Sequence, residues 1–154
     1  YEQLELGYNY RMTDIHAALG ISQMTRLDEF VQRRNELVDR YNELLAKLPV
    51  QRPELIDDAR SSWHLYPVRV QTDNISRSHR EVFEALREQN ISVNLHYMPV
   101  HLQPYYRDQG FHQGQFPAAE AYGEEAISLP MFPALSSAEQ DRVTSTLMDV
   151  LRLP

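Results

Sequence analysis

The residues with most to offer chemically lie in "NLHYMPVHLQPYY", Asn94 to Tyr106, where two histidines, three tyrosines and two prolines share thirteen positions. Imidazole can ligate a metal, move a proton or hydrogen-bond a ligand, and a tyrosine ring offers a flat apolar face with a polar tip. The run shows neither helical nor strand periodicity, so it is a loop that could serve as a metal site, a catalytic loop, a ligand-binding wall or a packed surface segment. His96 and His101 are five apart, His112 lies eleven further on, and no carboxylate falls between His96 and Tyr106. Zinc sites favour short ordered spacings with third and fourth ligands, so no metal is expected. The chain has no G-x-S-x-G nucleophile elbow and, with five glycines, no phosphate-cradling Gly-rich loop.

A second candidate is "LGYNYRMTDIHAALG", where Asn9 and Arg11, flanked by Tyr8 and Tyr10, stand immediately before a helix start. Backbone N–H groups at such a terminus favour an anion, and an arginine can make paired hydrogen bonds to phosphate or carboxylate. The plainer reading is a surface arginine and a turn asparagine.

Composition narrows the classes. A chain of 154 residues suits one domain. Net charge is −7 with no basic run, which argues against nucleic acid and against anionic membrane surfaces as partners. No apolar stretch reaches the roughly 18 residues of a membrane span, and no signal-peptide pattern opens the chain, so a cytoplasmic protein is expected. Zero cysteines exclude disulfides, thiolate metal sites and a cysteine nucleophile. Lys47 is the single lysine against fourteen arginines, a bias ascribed to genome composition. The chain opens at Tyr1 rather than methionine, which suggests a fragment.

The elements that must position these residues follow from period and punctuation. Thr13 and Asp14 read as an N-cap and acidic first turn, and apolar residues then recur at steps of three and four from Ile15 to Leu48, a long helix with a kink expected near Arg26 to Asp28. Pro49 and Pro53 end it. A strand is expected from about Trp63 to Val70, with Pro67 suggesting an edge or a bulge. Ser78 and Glu81 form a capping-box pair before a short helix ending near Asn90, and "ISVNLHY" reads as a second strand. Pro117 opens a helix to about Ala126, "AISLPMF" is a short strand, and Ser136 with Glu139 caps a final amphipathic helix. The expected fold is α+β: a long N-terminal helix plus a small sheet of about three strands covered by helices on one face.

Five blocks, "GYNYRMTDIHAALG", "RLDEFVQRRNELVDRYNELL", "SSWHLYPVRV", "HYMPVHLQPYY" and "AISLPMFPALSSAEQDRV", together resemble the C-terminal part of the DegT/DnrJ/EryC1/StrS sugar aminotransferases. The resemblance covers essentially the whole chain. It implies that residues 1–154 are the small C-terminal domain of a fold-type I enzyme dependent on pyridoxal 5'-phosphate, with the cofactor-binding domain, including the Schiff-base lysine, missing. Lys47, on the exposed side of the long helix, is no substitute, so the chain alone is expected to be inactive. The resemblance further implies that Asn9 reaches the cofactor phosphate of the neighbouring subunit in a homodimer, with Arg11 holding the same turn or a nearby anion. It places His96, Tyr97 and His101 by the sugar nucleotide, with His101 nearest the diphosphate or hydroxyls and Tyr105 and Tyr106 packing the loop down. By likeness to pseudaminic-acid-type enzymes, the substrate would be a UDP-linked 4-keto-6-deoxy sugar aminated at C4 with glutamate as donor, in glycan biosynthesis. Two alternatives stand beside this: a stand-alone, non-catalytic binding or regulatory domain of the same fold, and a metal enzyme using His96, His101 and His112.

Overall fold

A computed structural model describes residues 10–151. Helix α1, Asp14–Met24, starts where Thr13 is extended and its hydroxyl accepts the His16 N–H at 3.3 Å. It stops at Thr25, whose hydroxyl turns back to the Ser22 carbonyl, and helix α2 resumes over Leu27–Leu44. The bend therefore falls where it was expected. The two halves differ sharply: α2 buries Leu37, Val38 and Tyr41, whereas α1 buries nothing.

Strand β1, Val50–Gln51, pairs antiparallel with β2, Tyr66–Val70, which pairs antiparallel with β3, Ala126–Leu129. The sheet thus has three strands in the order β1-β2-β3. Two details depart from the sequence reading. First, β2 is the central strand, not an edge; it tolerates Pro67 because β1 reaches only Arg69 and Val70, leaving Pro67 beyond the end of that ladder. Second, "ISVNLHY" is not a strand. Ile91 and Val93 are buried as alternation predicts, but the Val93 N–H bonds to the Ile91 carbonyl within the segment, and only Asn94 bridges to Ser128 of β3. The third strand is instead the two-residue β1.

Helix α3, His79–Glu88, carries the expected capping box between Ser78 and Glu81. It ends with Asn90 at φ 58°, where the Ile91 N–H bonds to Leu86 and the Asn90 N–H to Arg87, closing the helix with buried Ile91 over buried Leu86. A one-turn helix α4, Pro104–Arg107, and helix α5, Pro117–Glu125, follow. Helix α6, Ser137–Leu151, is capped by Ser136 and Glu139. Tyr66, Val68, Ile127 and Leu129 share one sheet face and pack with Leu37 and Tyr41 of α2, Val82 and Leu86 of α3, and Val143 and Leu147 of α6. The opposite face carries Arg69 and Ser128, and there α5 and the His96 loop lie against the sheet, so helices cover both faces rather than the one expected.

Arginines fasten α2 to the rest of the core. Arg34 donates to the carbonyls of Trp63, His64 and Met131, Arg33 to those of Pro133 and Leu135, and Arg40 to Asp141. The guanidinium's forked donors suit this work, which a lysine could not duplicate, so these arginines have structural roles beyond a compositional bias.

Candidate functional site

The histidine-rich loop is held at three points, one on the sheet and two on α5. At its start, His96 Nδ1 lies 2.8 Å from the hydroxyl of Ser128, a buried residue of β3. At its middle, Pro99 seats on α5 over Gly123, where a Cβ would come within 2.8 Å of the proline Cδ. Only glycine permits so close an approach without displacement.

The third fastening is His101. The Val100–Leu102 turn puts its ring inside, 7% exposed, with Nε2 at 2.8 Å from Glu120 Oε1 and the ring 4.8 Å from Phe116. Glu120 also accepts the N–H of Gly114 at 2.8 and 2.9 Å and that of Phe116 at 3.2 Å. Gly114 has φ +92°, a conformation that side chains other than glycine rarely adopt. The Gly114 N–H above all, then the His101 and Phe116 donors, hold the Glu120 carboxyl below its ordinary range against the opposing effect of desolvation. A carboxylate only accepts, so His101 carries its proton on Nε2.

Helix α5 is itself anchored. Arg69 of β2 meets Glu125 at 2.7 Å and Gln51 of β1 at 3.1 Å. His79 Nε2, at the start of α3, donates to the Ala126 carbonyl at 3.1 Å. Between these fixtures lies a cavity of about 240 Å³ lined by His79, His96, Tyr97, Pro99, Glu120 and Gly123 among others. At its rim Tyr97 is 71% exposed, its ring edge-on to His96 at 4.6 Å, and Met98 beside it is 57% exposed.

Of the residues singled out in the sequence, His96 and Tyr97 therefore line one cavity. His101 does not line it but stands buried behind the loop. Tyr105 projects at 69% exposure rather than packing the loop down, and Tyr106 reaches Phe111 and Tyr105 at the surface. Arg11 is exposed just ahead of α1, and Asn9 lies outside the described residues. His79, Glu120 and Gly123 were missed by sequence reasoning; the only signal available for Glu120 was its place in the first turn after Pro117.

The three histidines of the metal alternative have separate partners, Ser128, Glu120 and the Gln113 carbonyl. Among the described residues no group of three or more His, Cys, Asp or Glu side chains could hold a metal ion, and no helix is long and apolar enough to cross a membrane. A larger groove of about 560 Å³ beside β1, lined by Asp39, Asn42, Arg52 and Trp63 among others, contains none of the loop residues. Its Arg52 guanidinium is already bonded to the Asn42 carbonyl.

Known proteins share this arrangement of elements. The chain is 36% identical to the spore coat polysaccharide biosynthesis protein SpsC of Bacillus subtilis across 99% of its own length, and it spans about 40% of the length of that curated relative. It superposes with a TM-score of 0.87 and 32% identity on the PMP form of the putative sugar aminotransferase Spr1654 from Streptococcus pneumoniae, covering 97% of this chain and 38% of that one. DesV of S. venezuelae, solved with a ketimine intermediate, gives 0.86 and 30%, covering all of this chain and 41% of that one. Residues 1–148 match the DegT/DnrJ/EryC1/StrS aminotransferase family, and the chain belongs to it.

Proposed function

We propose that this chain is the C-terminal small domain of a pyridoxal-phosphate-dependent sugar aminotransferase. Its substrate would be a nucleotide-linked 4-keto-6-deoxy sugar, its amino donor glutamate, and its setting the biosynthesis of cell-surface glycans. The observation that carries this reading is the cavity shared by His96 and Tyr97, on a loop fastened to the domain on either side of its tip. A pre-ordered wall loses less conformational freedom when a ligand arrives. Imidazole and phenol supply the hydrogen bonds and flat faces that a sugar requires.

The described residues do not by themselves fit the cofactor. Lys47 is exposed in the turn after α2, with no buried surroundings to make its amine nucleophilic. On this reading the imine-forming lysine would belong to a portion of the enzyme outside these residues, and this chain's contribution would be to bind and orient. Asn9 would reach the cofactor phosphate of the neighbouring subunit across a homodimer interface, with Arg11 holding the same turn or a nearby anionic group. The bare apolar surface of α1, with Ile15 at 82% and Ile21 at 71% exposure, supports a partner on that side, either the rest of the subunit or a second copy.

The test uses the complete enzyme. Tyr97→Phe or His96→Ala is expected to raise KM for the UDP-linked keto sugar while leaving glutamate-driven conversion of the cofactor to its aminated form nearly unchanged. Equal damage to both half-reactions would remove the two residues from the sugar site.

A further inference from the structure

We propose that His101 and Glu120 are a positioning pair which, with Gly123 as the seat for Pro99, sets where Tyr97 stands at the rim of the cavity. The proposal rests on the sugar-nucleotide reading above and assigns His101 a part that no direct ligand contact requires. The geometry points this way in three steps. Glu120 and Gly123 are one helical turn apart on α5, so they lie on the same helix face. One takes the His101 ring at 2.8 Å and the other takes Pro99 in van der Waals contact, so the two sides of a three-residue segment are fixed to one rigid surface. Helix α5 is in turn locked to the sheet by Arg69 and Glu125.

With His96 held by Ser128 and Pro99 by Gly123, the only residues between the fastenings are Tyr97 and Met98, and both project outward. Their position is therefore a consequence of the fastenings. Glu120 performs a second task with the same carboxylate, since its bonds to Gly114 and Phe116 hold the 111–116 turn over the far side of the His101 ring. Loss of the pair would free the ring and the 111–116 turn and leave Pro99 held from Gly123 alone, which loosens the hold on Tyr97, while the main core on the opposite sheet face contains none of these residues.

The experiment uses the complete enzyme and four variants: His101→Phe, which keeps a ring but no donor; His101→Gln, which keeps an N–H donor; Glu120→Gln; and Gly123→Ala. Displacing a binding group by about 1 Å can cost up to about a hundredfold. His101→Phe, at a residue that does not line the cavity, is accordingly expected to raise KM for the UDP-linked keto sugar by about tenfold or more, with the glutamate half-reaction within about twofold of wild type; Glu120→Gln and Gly123→Ala, at residues that do line it, should do the same and are decided by the exchange readout below. His101→Gln is expected to recover most of the loss. A ligand-independent readout accompanies the kinetics: amide hydrogen exchange should quicken at the bonded N–H groups of Leu102, Gln103, Gly114 and Phe116 in the three damaging variants and stay at wild-type rates in β2, α3 and α6. Unchanged exchange in the loop overturns the pair. So does a His101→Gln variant as poor as His101→Phe, which would show that an N–H donor at this position is not what holds the loop, and so does equal loss in both half-reactions. If wild-type enzyme ignores keto-sugar nucleotides but the exchange pattern holds, the functional reading fails and the positioning geometry stands.

Discussion

Two stacked tyrosines in the core make a quantitative prediction about alkaline stability. Tyr41 on α2 and Tyr66 on β2 are both fully buried, with ring centroids 5.0 Å apart. Their hydroxyls donate to the Pro130 carbonyl at 3.0 Å and to Asn42 Oδ1 at 2.7 Å. Burial raises both phenols far above the usual 10.0; the neighbouring Tyr66 adds to the effect on Tyr41, while Arg40 and Arg52 oppose it only in part. The folded chain therefore keeps two protons that the unfolded chain releases around pH 10. This stabilisation is fully present below the unfolded pKa and is lost as pH climbs from there toward the folded value. At pH 11 each tyrosine should have cost about 1.4 kcal/mol, or about 3 kcal/mol for the pair, relative to pH 8. Urea unfolding of the 154-residue chain, followed by circular dichroism between pH 8 and 11, measures the fall. Tyr66→Phe should start about 1 kcal/mol lower at pH 8 through loss of the bond to Asn42, yet fall only half as far, so that the two proteins converge near pH 11. A flat profile, or phenolate absorbance showing both buried tyrosines ionising near pH 10 in the folded chain, would refute the reasoning.

Leu147→Ala, at a fully buried position of α6, should cost about 2–5 kcal/mol in the same urea assay, since the surrounding core can only partly close the cavity. Replacing Ile15 or Ile21 by Gln should change the stability of this chain by no more than about 0.5 kcal/mol, because α1 buries no side chain against it; a loss several times larger would show that α1 packs on the domain.

Helix starts were legible wherever a capping residue announces them, as Thr13, Ser78 and Ser136 do, because a short polar side chain placed just before an apolar period has one local use. Strands were legible only through burial, and burial is not pairing. Ile91 and Val93 alternate as a half-buried strand would, but nothing in their side chains reveals that their backbone groups bond locally instead of to β3. Conversely, Val50–Gln51 pairs without a pattern long enough to read, squeezed between Pro49 and Pro53. The arginine fastenings were illegible for another reason. Each reaches carbonyls whose positions depend on the folded chain, from 29 to 102 residues away.

The loop's composition signalled a functional segment but not which way each ring faces. His96 and His101 look equivalent in the sequence, each beside an apolar residue and close to a proline. They differ in the acceptor each meets: for His96 the Ser128 hydroxyl, a neutral partner; for His101 a carboxylate that three other hydrogen bonds already orient. A carboxylate held as an anion in a nearly closed place needs donors around it, and an imidazole N–H supplies one without bringing an obligatory second charge. The ring is drawn inward, and Phe116 covers its face. With Pro99 seated on Gly123, one turn along the same face of α5, His96 borders the cavity and His101 does not. A wall and a fastening thus use the same residue type within five positions, and the choice between them is made by Glu120, nineteen residues further along the chain.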